Sequence, residues 1–242
     1  MRAAAAAIVA IALACAAPVP AAAEPVPLTG GPLEVQLWPG GTPGYTLIFV
    51  TGTLPEDVAL PALVQLPVPP GAEVVWVGEL LGGPVELDPA REYRIAEGTG
   101  AGTLEFVAED SRVVQLEAVG PALTVRDGLI GSDVTWIQST HPAEVVFSVR
   151  IPAASDSVRI APVPPSPPLI NEAGERLYTL PSVALAEGAT HEVSFAYGPG
   201  GAASDVDARS NLIAWLLAAL ALALFALMAV YVRDKRRAHS AE

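Results

Sequence analysis

Residues 212–232 limit this chain more than any other part of it, because 21 consecutive positions carry no charge. Coiled as a helix, such a stretch spans about 31 Å, the thickness of a bilayer's hydrocarbon core. Trp215 and Tyr231 stand near its two ends, where amphipathic rings favour the membrane interface. Arg233, Lys235, Arg236 and Arg237 follow at once, whereas Arg209 is alone near the other end, beside Asp205 and Asp207. The positive-inside rule therefore expects a lipid-embedded span, a cytoplasmic C-terminus and the bulk of the chain outside. The basic tail 233–242 then serves as the determinant of topology.

The opposite end gives the same orientation. Arg2 precedes the apolar run 3–14, and Ala21, Ala22 and Ala23 supply the small residues a signal peptidase requires before Glu24. That run is about 18 Å long as a helix, too short for a bilayer, so residues 1–23 read as a cleaved secretory signal. The chain's one cysteine, Cys15, lies inside it. The remainder is thereby denied disulfides, a thiolate nucleophile and cysteine-bound metals. An alternative reading makes Cys15 a lipidated N-terminus, but Ala12 stands where a lipobox places leucine.

Between the two hydrophobic ends, residues 24–209 hold 24 acidic and 8 basic side chains, a net of −16. Such a surface repels nucleic acid and anionic headgroups. It suits cations or a basic protein partner. The Ala, Val, Pro, Gly and Arg bias, with one lysine and no Asn-X-Ser/Thr site, fits a GC-rich bacterium.

Period-two alternation dominates this middle part. Leu33, Val35 and Leu37 share one face of a strand. So do Val114, Leu116 and Ala118, then Val145, Phe147, Val149 and Ile151, then Val193, Phe195 and Tyr197. Residues 45–51 and 73–77 are more continuously apolar and read as central strands covered on both sides. Pro and Gly interrupt these runs about every ten residues, and no soluble segment keeps a 3.6-residue period. The expectation is an all-β ectodomain, a sandwich in the size range of immunoglobulin-like and fibronectin III-like modules. A weak repeat, with Tyr93 and Tyr178 as counterparts 85 positions apart, divides it into residues 24–118 and 119–198. One larger sandwich is the alternative. Pro162 to Pro168 must be extended, and residues 199–211 read as a flexible stalk.

Searching for chemistry yields little. His141 and His191 have no neighbour at metal-ligand spacing. His141 with Ser139, Thr140 and Asp133 lacks any nucleophile context. Glu109 with Asp110, Asp127 with Asp133, and Asp205 with Asp207 are the acidic pairs that could suit calcium, but none follows ligand spacing. No phosphate loop or dinucleotide fingerprint is present. Trp76 and Trp136 lie in apolar runs and read as core. Trp38, before Pro39-Gly40-Gly41, is the candidate ligand-contact residue. No catalytic residue, cofactor or metal is expected. The expected function is a non-enzymatic, membrane-anchored envelope module that binds another membrane or envelope protein. A carbohydrate-binding or adhesion module is the alternative, and a hydrolase with dispersed carboxylates is third.

Overall fold

A computed structural model describes residues 24–97 and 101–199. They form fifteen strands and, among the described residues, one short 3₁₀ turn at Val85–Leu87. The strands are β1 (Leu33–Thr42), β2 (Tyr45–Thr53), β3 (Ala62–Val68), β4 (Glu73–Glu79), β5 (Tyr93–Glu97), β6 (Gly102–Ala108) and β7 (Val113–Ala122). They continue with β8 (Thr124–Arg126), β9 (Leu129–Ile137), β10 (Ala143–Ile151), β11 (Asp156–Ala161) and β12 (Leu169–Ile170). The last are β13 (Arg176–Thr179), β14 (Val183–Leu185) and β15 (Thr190–Gly198). The alternating runs at 33–37, 114–118, 144–151 and 193–197 fall within β1, β7, β10 and β15. The expected all-β character is therefore present.

The strands make three sheets. The largest runs β12-β13-β10-β1-β2-β7-β4, with β14 also on β10; the others are β11-β15-β9-β8 and β3-β6-β5. Residues paired across a ladder point the same way, so register fixes the inner face of the large sheet. Val149, Leu37, Ile48 and Ala118 stand side by side across β10, β1, β2 and β7, and all are fully buried. Val64, Leu66, Leu104 and Phe106 of the three-stranded sheet share a continuous core with them, as do Val134, Trp136, Val193 and Phe195 of the four-stranded sheet. Trp136 meets Phe147 edge-on at 5.9 Å between ring centroids. Burying each large apolar side chain contributes about 1.5–3 kcal/mol relative to exposure. A core of this extent stands without cross-links. The arrangement is consistent with a β-sandwich.

Strands β1–β7 pair among themselves, as do β8–β15; the ladder between the two sets is β1 with β10. It is parallel and runs from Leu33 opposite Val145 to Leu37 opposite Val149. The junction expected at 118/119 lies inside β7, which continues until Ala122 pairs with Tyr45. The chain passes from one set to the other at Leu123, whose N–H donates to the Gly44 carbonyl at 2.8 Å.

Residues 73–77 also differ from expectation. Strand β4 has one ladder neighbour, β7, and on its other side a single bridge from Gly78 to Ala90. Its register shifts between Val74 and Trp76, which turns Trp76 out of the core and leaves it half-buried on the outer face. Trp136 is in the core as expected. Pro162 to Pro168 link β11 to β12. Among the described residues no helix is long and apolar enough to cross a membrane. The signal 1–23, the stalk from residue 200 on, the span 212–232 with Trp215 and Tyr231, and the basic tail lie outside the described residues.

Candidate interaction surface

The two smaller sheets occupy the inner face of the large sheet, and its outer face carries the opposite set of side chains. By register, one row across it is Ser148, Gln36, Phe49, Glu117 and Trp76, from β10 to β4. The next row is Arg150, Trp38, Leu47, Val119 and Glu73. Except for Glu73, which is exposed, these residues are half-buried, as expected for side chains that touch their cross-strand neighbours and have solvent above them.

Trp38 is the residue singled out from sequence. It lies within β1, which continues past Pro39 and Gly40 through a register irregularity before Thr42. Its ring stacks on Phe49 at 6.1 Å and 28°, and the Arg150 guanidinium lies 4.1 Å from the ring centroid. A Cβ on Gly41 would come within 3.0 Å of the indole, so Gly41 allows its backbone to lie against the ring. Trp38 is therefore a packed member of a cluster, with a cation–π contact of about 0.5–2 kcal/mol. Arg150 in turn donates from Nε to Glu175 at 2.8 Å, and Asn171 Nδ2 donates to the same oxygen at 2.7 Å. Burial pushes the Glu175 carboxyl up, but hydrogen bonds from Asn171, Arg150 and Trp38 outweigh it, so its pKa is lowered.

Glu117 has a different environment. Gln115 Nε2 donates to it at 3.0 Å, and Gln115 Oε1 accepts from Thr51 Oγ1 at 3.0 Å. Burial holds the Glu117 carboxyl above its ordinary value, with the Gln115 hydrogen bond opposing. No ion pair involves it among the described residues. Phe49 and Trp76 flank it in the register.

Elsewhere the polar groups build structure. Glu79, fully buried, accepts from the N–H groups of Glu109 at 2.9 Å, Asp110 at 2.7 Å and Ser111, and from Arg91 Nε at 2.5 Å. Desolvation raises its pKa, but these donors reverse the sign and leave it lowered. Glu109 and Asp110, a candidate calcium pair in the sequence, instead form ion pairs with Arg91. Asp127 and Asp133 line a shallow groove of about 320 Å³, together with Arg126 and Arg159. Asp205 and Asp207 lie outside the described residues. His191 stacks on Phe147 at 5.0 Å, and the His141 carbonyl accepts from Gln138 at 2.7 Å. Among the described residues no three His, Cys, Asp or Glu side chains converge as metal ligands.

Sequence reasoning identified Trp38 but not Phe49, Glu117, Arg150 or Glu175. Glu117 and Arg150 were within reach, since each occupies the off-phase position of an alternating run, whereas Phe49 lies in 45–51, which reads as covered on both sides although Phe49 is only half-buried. Glu175 reaches the cluster from the β12–β13 hairpin, and no local pattern predicts that contact. Set against known protein families and curated proteins, the chain matches none of them.

Proposed function

We propose that this chain is a non-enzymatic, single-pass envelope protein whose extracytoplasmic β-rich part serves as an interaction or accessory module for another membrane or envelope protein. In this reading residues 212–232 hold it in the bilayer, with the C-terminus in the cytoplasm. Its two strand sets are immunoglobulin-like or fibronectin III-like sandwiches in tandem, joined side to side through β1 and β10. The supporting observation is the outer face of the large sheet, where Trp38 on β1, Phe49 on β2 and, one strand further across, Trp76 on β4 lie half-buried. Aromatic side chains in such positions are the usual anchors of protein interfaces.

A photo-cross-linking residue at Gln36, in whole cells, is expected to give a discrete adduct with one envelope protein. The same residue at Glu187, in the turn between β14 and β15, is expected to give none. Equal labelling from both positions, or none from either, would sink the proposal. Protease added to intact cells checks the topology and should degrade the β-rich part.

A second reading, glycan binding, draws on the same three rings, because flat aromatic faces also stack on sugars. Tryptophan emission that responds to envelope glycans and is lost in Trp76→Ala would favour it.

A further inference from the structure

We infer, on the reading that this chain is an interaction module, that the outer face of the large sheet binds a Lys- or Arg-bearing segment of its partner protein, centred on Glu117 between Phe49 and Trp76.

The inference starts from a difference among the glutamates that are not exposed. Glu79 is paired with Arg91, Glu105 with Arg94 and Glu175 with Arg150. Glu117 has only the neutral Gln115 amide. The same sheet face already holds a complete version of the arrangement: Arg150 lies over Trp38 and its charge is met by Glu175. Glu117 with Trp76 and Phe49 repeats the carboxylate and the aromatic rings, but no arginine among the described residues pairs with it. A cation seated there gains a charge-assisted hydrogen bond and two π faces in a partly desolvated position.

The charge of the whole face points the same way. Strands β1, β2, β4 and β7 contain no Lys or Arg. Glu34, Glu73, Glu117 and Glu144 project outward by register, and the single Arg150 is compensated by Glu175. The uncompensated charges are all negative, which complements a basic partner and disfavours an acidic one. From β10 to β4 the face is about 19 Å wide at the usual strand spacing. Five residues of strand add roughly 17 Å, for an area on the order of 300 Å². A standard interface contributes about 800 Å² per partner, so this face fits a segment better than a whole domain.

The test uses the full chain in detergent and a short synthetic peptide of alternating arginine and leucine, with binding followed by tryptophan emission. Glu117→Gln is expected to weaken binding about tenfold, as loss of a charge-assisted hydrogen bond implies. Glu187→Gln removes the same charge from an exposed turn off this face and should change it less than about twofold, as non-specific attraction would not. Glu34→Gln, on the exposed rim of the face, should fall between them. Thermal melting verifies that the variants are folded. Equal losses in Glu117→Gln and Glu187→Gln, or no peptide binding at all, overturn the cationic occupant. If the Gln36 cross-link forms in that case, the interaction-module reading survives without it; if that too is absent, both fail. Emission changes with glycans and not with the peptide overturn the inference in favour of the sugar.

Discussion

At the scale of single residues, two glutamates of the same sheet behave in opposite ways. Glu79 is ionised inside a ring of donors, so it contributes stability above its ordinary pKa of 4.5, and that stability is lost as pH falls through its lowered value. Glu79→Ala leaves three N–H groups and Arg91 without their shared acceptor. It should destabilise the fold by about 3 kcal/mol at neutral pH, read from urea midpoints. The deficit should shrink in acid, where the wild-type carboxyl is protonated too. Glu117 has the reverse sign, because its folded pKa lies above its ordinary 4.5. Its ionisation lowers stability as pH rises through that window. Glu117→Gln should therefore melt slightly higher than wild type at pH 7, with the gain disappearing near pH 3. A carboxylate that weakens the fold where the protein works is a sign of a role other than holding the fold together.

At the scale of elements, the alternation of the strands was legible and their irregularities were not. Leu33, Val35 and Leu37 declare their shared face through the polar residues between them. Trp76 did not, since the register shift before it depends on how β4 meets β7 and not on local pattern. Residues 73–77 are apolar enough to suggest cover on both sides, yet an edge strand with a bulge satisfies them equally. Trp38 drew notice through the turn-like Pro39-Gly40-Gly41 that follows it, which proved to be an irregular continuation of β1. Glycines mark close approaches the sequence cannot date or place. At Gly131 a Cβ would press into the Phe195 carbonyl and Ala196 across the β9–β15 ladder. Gly131→Ala should cost about 1–3 kcal/mol, measured by chemical unfolding. Gly128→Ala in the neighbouring hairpin meets no atom within 4 Å, but its φ of +76° makes it a strained control.

For the molecule as a whole, the sequence announced a β-rich body, but not how its strands join into sheets. Tyr93 lies in β5 of the three-stranded sheet and Tyr178 in β13 of the large one. Strand β7 carries on past residue 118 to Ala122. The β1–β10 ladder and the shared core could not be read locally, since the partners are far apart in the chain. A body with one continuous core should unfold in a single step. Calorimetric and van't Hoff enthalpies should then agree, and two resolved transitions would show that the sets melt separately. The ladder also sets an order of assembly. Leu33 meets Val145, which is made 112 positions later, while β2 covers the other edge of β1 almost at once. During synthesis, then, a finished hairpin waits with one row of N–H and C=O groups bare until β10 emerges. An unpaired edge of that kind is a template for wrong partners. The period of greatest danger for this protein is the interval before its tenth strand arrives, and a holding chaperone would be of most use to the nascent first hairpin.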